Sequence, residues 1–389
     1  MKPLSYRTDT FTDSVIRRMT RICNQYGAVN LSQGFPDFEP PKPILDRLAE
    51  VAYEDFHQYS ITWGAQNFRN ALARKQSKLM GIDINPDGEI VTTCGGTEAM
   101  MAAVTTICNP GDKVIIFSPW YENYGADCIL SGAEPIYVPL VPPSYGFDAN
   151  VLEDAMRQPD VKAMILCNPS NPCGKVFTRE EMETIAMLAI KYDIYVITDE
   201  VYEHIIYAPH NMVYMASLPG MRERTVVCGS LSKTYSLTGW RLGYTIAAPE
   251  ITERIKKVHD FLTVGAAAPL QEAMVTGLNF EQDYYDGLLS KYTHKRQLMC
   301  EGLDDLGLQH NVPEGAYYIM IDVREYIERT HCRNDLEFAE LMCQKVGVGA
   351  VPGSTFFHED VNDYVRIHFA KKDETLYEAL ERLQSMKTL

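Results

Sequence analysis

The sequence predicts an α/β protein built on a mostly parallel sheet, with a smaller α+β lobe in the later part of the chain. Three observations predict it. Apolar runs of strand length alternate with helical periods, the pattern of parallel strands joined by crossover helices. Four of those runs end in polar residues, as expected where parallel strands open at their carboxyl ends onto a ligand crevice. From about Ala267 onward the alternation gives way to long helical periodicity and two later strands. With 389 residues, 46% of them hydrophobic, the chain can bury a large core divided between two domains.

In chain order, Leu31-Ser32-Gln33-Gly34-Phe35-Pro36-Asp37 is a Gly/Pro-rich connection before the large domain. Val91-Thr92-Thr93 reads as a strand, Gly95-Gly96 as a turn, and Thr97 onward as a helix start. Lys113 to Phe117, Ala163 to Cys167, Ile194 to Thr198 and Thr225 to Cys228 are the four apolar runs. They end respectively at Ser118-Pro119, Asn168-Pro169, Asp199-Glu200 and Gly229-Ser230. Glu180 to Lys191 carries Met182, Ile185, Ala186, Leu188 and Ala189 at helical spacing, a crossover helix with a packing role only. Glu281 to Leu306 is helical, Ala316 to Ile321 and Tyr364 to Phe369 read as strands, and a charged amphipathic helix follows. The turn clusters Pro313-Glu314-Gly315 and Pro352-Gly353-Ser354 flank these last elements.

Composition excludes several classes. A net charge of −16 and a pI near 5.0 argue against a broad nucleic-acid footprint, which needs a clustered basic face. No segment approaches the ~20 uncharged apolar residues of a membrane span, and no targeting signal is visible at the start. Ten cysteines without a Cys-x-x-Cys pair, and nine histidines without a ligand cluster, point to neither a disulfide frame nor a zinc site. A soluble protein of a reducing, cytoplasmic setting is expected.

The segment Ser230-Leu231-Ser232-Lys233-Thr234-Tyr235-Ser236-Leu237-Thr238-Gly239-Trp240-Arg241 sets hydroxyls and a guanidinium around Lys233. An amine that attacks an aldehyde must be partly unprotonated. A solvated lysine, with a pKa of about 10.4, needs desolvation or nearby positive charge to get there. Arg241 can supply that charge, and Arg241 with Ser230 also suits a phosphate dianion. A surface lysine in a Ser/Thr-rich loop is the plainer reading of the same segment. Gly95-Gly96-Thr97-Glu98 offers a second anion site through the free N–H groups of a helix start, or merely a glycine turn with a threonine cap.

Asp199, at a strand end, suits a ring nitrogen that must stay protonated, and is otherwise a helix cap. Tyr202 and Asn171 suit hydrogen bonds to a ring oxygen, and Tyr121 a stacking face, unless it is only core filling. Asn168-Pro169-Ser170-Asn171-Pro172 also reads as a double turn. Arg366, an arginine in an apolar strand, needs either an internal salt bridge or a substrate carboxylate.

In order along nearly the whole chain, seven segments resemble the pyridoxal 5'-phosphate (PLP) enzymes of fold type I. They are Ser32-Gln33-Gly34-Phe35-Pro36-Asp37-Phe38, Gln58-Tyr59-Ser60, Gly95-Gly96-Thr97-Glu98-Ala99, Asn168 to Pro172, Thr198-Asp199-Glu200-Val201-Tyr202, the lysine segment and Tyr364-Val365-Arg366. The likeness is to class I/II aminotransferases such as the aspartate, aromatic and kynurenine enzymes. It implies a three-layer large PLP-binding domain at 43–285 and a small domain formed by 1–42 and 286–389. It implies that Lys233 forms the Schiff base, Asp199 holds the ring nitrogen, Asn171 and Tyr202 hold the ring oxygen, and Tyr121 stacks. Ser230, Ser232, Arg241, Gly96, Thr97 and Glu98 would surround the phosphate. Arg366, Asn171 and the Gly34 backbone would hold the substrate α-carboxylate, and Tyr59 would reach the phosphate of the neighbouring subunit in a homodimer. Cys173 in place of threonine and Phe68 in place of leucine depart from the family pattern without touching the reacting atoms.

The implied activity is ping-pong transfer of an amino group from an L-amino acid (aromatic, aspartate or broad range) to a 2-oxo acid such as 2-oxoglutarate, with the freed Lys233 amine as general base. A carbon-sulfur β-lyase is the alternative on the same scaffold, and a regulatory protein without catalysis is a third. The catalytic positions are all chemically competent, and no DNA-binding extension is visible. Trp63, Tyr59, Tyr121 and Phe356 suggest room for an aromatic side chain, and the sequence assigns no second cation for a dicarboxylate.

Overall fold

The structure, a computed structural model, describes residues 1–11 and 14–389. Its strands are β1 (Val29–Asn30), β2 (Ile90–Thr93), β3 (Lys113–Ser118), β4 (Glu134–Pro139), β5 (Val161–Cys167), β6 (Tyr195–Asp199), β7 (Thr225–Ser230), β8 (Gly243–Ile246), β9 (Tyr318–Asp322), β10 (Val348–Gly349), β11 (Val351–Pro352) and β12 (Tyr364–His368). Seven of them form one sheet in the order β2-β8-β7-β6-β5-β3-β4. All pairs from β4 to β7 are parallel, and β8 runs antiparallel to both β7 and β2.

The near-continuous apolar runs of β3, β5 and β6 are explained by burial on both faces. Val114, Ile116, Ala163, Ile165 and Ile197 pack on one side with the helices Gly95–Ile107 and Pro249–Thr263. Ile115, Phe117, Met164, Leu166 and Val196 pack on the other with Met182, Ile185 and Leu188 of the helix Arg179–Lys191. The period-two alternation of strand side chains therefore builds three layers. That last helix is defined locally. Thr178 and Glu181 form a reciprocal capping box, Glu180 and Glu181 occupy its first turn, and Lys191 its last, matching the helix dipole. Replacing Thr178 by alanine costs about 1 kcal/mol.

A second, antiparallel sheet, β11-β12-β9, and the parallel pair β1-β10 belong to the other lobe. Their core joins Met19 and Cys23 of the helix Val15–Tyr26 to Met299 and Leu303 of the helix Gln282–Leu306, with Ile319, Ile367 and Leu376 between them. Gln282–Leu306 is one continuous helix through residues 285 and 286. Tyr202, Ile205 and Tyr207, just beyond β6, are buried in this second core and so tie the carboxyl edge of the large sheet to it. Among the described residues, no helix is long and apolar enough to cross a membrane.

Candidate active site

The carboxyl ends of β5, β6 and β7, the start of the helix Gly95–Ile107 and the inner edges of β9 and β12 converge on a cavity of about 390 Å³. Gly34, Gly96, Thr97, Tyr121, Asn171, Asp199, Tyr202, Ser230, Ser232, Lys233, Arg241 and Arg366 all line it. Positions as far apart in sequence as 34 and 366 meet there.

Lys233 follows β7 and its Nζ donates to the carbonyl of Gly34 at 3.1 Å. Burial pushes its pKa down, the nearby Asp199 opposes this, and Arg241 and Arg366 reinforce it, leaving the amine at about 8. Desolvation thus outweighs the arginine charge in activating the lysine. Tyr202 and Tyr317 present their rings 5.8 and 5.9 Å from Nζ.

Asp199 closes β6 and precedes turns, so it caps no helix. Its Oδ2 accepts from the Tyr124 hydroxyl at 2.6 Å and its Oδ1 from the Val201 N–H at 3.3 Å. Burial raises its pKa, and these two hydrogen bonds and Lys233 counter the rise. The Tyr202 hydroxyl lies 2.8 Å from that of Tyr318, and burial drives its pKa well up, which keeps it a protonated donor. Tyr121 is half-buried, with its ring edge-on to Tyr124.

Arg366 is 1% exposed on β12. It donates to Asn171 Oδ1 at 2.7 Å and to the Ser32 carbonyl at 2.8 Å, between the rings of Tyr318 and Phe356. Among the described residues no carboxylate pairs with it, and its Nε has no partner. An internal salt bridge is therefore not its reason for being there. Accepting from Arg366 leaves the Asn171 Nδ2 free to donate elsewhere.

At the opposite end, the Ser230 and Ser232 hydroxyls are 2.8 Å apart and Arg241 Nη1 donates to the Thr238 carbonyl at 2.9 Å. Gly95 has φ +81°, and a Cβ there would run into the Arg241 guanidinium. A Cβ at Gly243 would strike the Gly95-Gly96 backbone. Helix start and arginine are packed to a tolerance that only glycine meets.

Two expected site residues lie elsewhere. Glu98 is a correction: its carboxylate is turned from the cavity toward the Cys94 N–H, His259 Nδ1 at 2.6 Å and Thr263 Oγ1 at 2.8 Å. One residue beyond Thr97 is a rotation of about 100° on a helix, which takes the side chain off the cavity face. Tyr59, expected at the phosphate of a neighbouring subunit and not in this cavity, is 87% exposed and does not line it. Of the aromatic candidates, Trp63 packs beneath Lys256 away from the cavity, and Phe356 stands behind Arg366. Sequence reasoning missed Tyr124, Asp127 and Tyr318, which also line the site. The spacing of Tyr124 from Tyr121 was a usable signal for the first, and the tyrosine pair Tyr317-Tyr318 read simply as strand.

These groups fit PLP. The hydroxyls, guanidinium and helix start suit a phosphate, Asp199 a protonated ring nitrogen, and the unpartnered Arg366 Nε a carboxylate beyond it.

Residues 26–383 match the family described as aminotransferase class I and II. A methionine aminotransferase of Escherichia coli is 34% identical over 96% of both chains, and kynurenine–oxoglutarate transaminase 3 of Homo sapiens is 32% identical over 97% of this chain and 89% of that one. The solved structure of N-succinyldiaminopimelate aminotransferase from Mycobacterium tuberculosis superposes with a TM-score of 0.94 at 32% identity, over 99% of this chain and all of the other. Fold, cavity chemistry and relatives agree: the chain belongs to the class I and II aminotransferases and is a PLP-dependent aminotransferase.

Proposed function

We propose that the twelve cavity residues divide the work of amino-group transfer as their chemistry suggests, with the buried, partly neutral amine of Lys233 as the observation that carries the reading. When bound, PLP supplies an aldehyde carbon for amine exchange and an electron-withdrawing ring. Asp199 keeps a proton on the ring nitrogen, Asn171 and Tyr202 hydrogen-bond the ring oxygen, and Tyr121 lies against the ring face. Ser230, Ser232, Arg241, Gly96 and Thr97 hold the phosphate. Arg366, with Asn171 and the Gly34 backbone, holds the α-carboxylate and so orients the substrate's α-carbon toward Lys233. The Lys233 amine, displaced by substrate, takes the α-proton and returns it, as general base and then acid.

The large domain at 43–285, with a small domain from 1–42 and 286–389, provides the two walls of this site. The working unit is a homodimer in which Tyr59 serves the neighbouring site. Supporting this, Tyr53, Tyr59, Ile61, Phe261, Leu262 and Val264 are exposed, and Gly265 packs against Thr62, which brings the two segments together. Ten cysteines without a Cys-x-x-Cys pair favour a reducing, cytoplasmic setting.

For the donor, Phe35, Tyr121 and Tyr318 favour an aromatic or large apolar side chain. For the acceptor, Arg17 at the cavity lining is the cation left without a role above, and it favours the distal carboxylate of 2-oxoglutarate. Borohydride reduction and peptide mapping test the core of the reading: a pyridoxyl adduct on Lys233 is expected, and its absence ends it. A panel of amino donors against 2-oxoglutarate, pyruvate and oxaloacetate tests the rest. Activity with aspartate alone would refute the aromatic preference, and pyruvate and ammonia formed without an acceptor would mark a β-lyase instead.

A further inference from the structure

Asp127 lies three residues after Tyr124 on the helix Asn123–Ser131, so the two side chains share one face of it. It lines the cavity with Asp199, Thr97 and Met100. It is 4% exposed, and its Oδ2 has no hydrogen-bond partner among the described residues. A buried carboxylate without a partner is costly as an anion, and none of the roles above uses this one.

Asp199 of β6 is the charge that bears on Asp127, and the Oδ2 of Asp199 already accepts from Tyr124. Cys228 of β7 and Cys128 of its own helix are thiols pushed well up by burial. The first turn of the helix Gly95–Ile107 contributes Thr97 and Met100, which carry no charge, and Glu98 there faces His259 instead. Arg17, Lys233, Arg241 and Arg366 are the cations that line the cavity, and among the described residues none pairs with Asp127. Burial, and then the charge on Asp199, pushes Asp127 up to about 8.

We propose that Asp127, buried in the cavity wall with no hydrogen-bond partner for its Oδ2, is a neutral carboxylic acid at neutral pH and leaves Asp199 as the single negative charge of that wall. Asp127 is then a positioning residue that acts through Asp199. This rests on the assignment of Asp199 to the ring nitrogen. While Asp127 is neutral, the site presents one negative charge to a ring cation. Once Asp127 loses its proton to solvent, the added charge raises the proton affinity of every basic group in the cavity, Lys233 included.

The test uses Asp127→Asn and Asp127→Leu, two neutral replacements of similar size, so that one folded variant suffices. In infrared difference spectra of cofactor-free protein, wild type minus variant is expected to show the carbonyl stretch of a protonated carboxylic acid at pH 6.5, fading as pH passes about 8. Glu200, also buried and pushed up to about 8, contributes a band that both variants keep and that cancels. In holoprotein, the absorption of bound PLP followed from pH 6 to 10 is expected to lose one titration step in the variant. Absence of the difference band, or an unchanged absorption profile in both variants, overturns the proposal. Failure of borohydride to label Lys233 would defeat the cofactor reading while leaving the infrared result to stand by itself.

Discussion

The guanidinium of Arg366, on β12, donates at 2.7 Å to Oδ1 of Asn171, in the turn that follows β5, joining residues 195 apart in sequence. Its other acceptor is the Ser32 carbonyl, so both partners are neutral and the charge is left for a ligand. Arg366→Ala removes a charge-assisted fork worth about 3 kcal/mol, so KM for an amino acid is expected to rise roughly 100-fold. Arg366→Lys keeps the charge without the fork and falls between. Steady-state kinetics with an amine lacking the α-carboxylate supply the control: its KM should change little, and an equal rise would rule out carboxylate recognition.

Lys233 is held at about 8, so below that pH its neutral fraction grows about tenfold per pH unit and then levels off. The rate at which cofactor-free protein takes up PLP should follow the same curve. Stopped-flow absorbance between pH 6 and 9.5 measures it, and a flat profile contradicts an activated amine. Lys233→Ala is expected to abolish the visible absorption of lysine-bound cofactor and nearly all turnover.

The Glu98–His259 pair behind the glycine turn has a defined pH signature. Burial is the largest single influence and works against the charge on both, but their mutual hydrogen bond and attraction, together with the Cys94 N–H on Glu98 and the Thr62 carbonyl on His259, outweigh it, lowering Glu98 and raising His259. The His259 contribution to stability is complete below its unfolded pKa of about 6.5 and is lost as pH rises through its higher folded value. The Glu98 contribution is present above about 4.3 and is lost as pH falls through its lower folded value. His259→Gln is expected to cost about 3 kcal/mol at pH 6 and to flatten the decline in Tm above that pH, as thermal melts will show. A variant with the wild-type slope would exclude the pair as its source.

Gly95→Ala introduces a Cβ at φ +81° against Arg241. Strain of about 1 to 2 kcal/mol and a displaced guanidinium should weaken PLP affinity by roughly tenfold or more, measured by titrating cofactor-free protein. Gly239→Ala, where a Cβ meets nothing within 4 Å, is the contrasting substitution and should bind as wild type does.

How much was legible beforehand differs by residue for physical reasons. The strand ends carrying Asp199 and Ser230 were readable because apolar runs buried on both faces stop abruptly at polar residues. Arg366 was readable because a charge in an apolar strand demands a partner. The resemblance put Glu98 at the phosphate with Gly96 and Thr97, but position in a motif does not say which way a helical side chain points. Asp127 and Tyr318 carried no local signal, since their neighbours have the pattern of ordinary core elements.

By itself, then, the sequence indicated a mostly parallel large sheet, and it offered Lys233 as the candidate reactive amine with groups suited to a phosphate, a ring nitrogen and a carboxylate. These follow from side-chain periodicity and from functional groups that few other chemistries require. Tertiary structure alone decided that desolvation activates Lys233 more than Arg241 does, that Glu98 serves the turn behind the site, and that a second carboxyl faces the cavity beside Asp199. Burial, orientation and through-space charge depend on what folds against a residue, and none of them is a property of its neighbours in the chain.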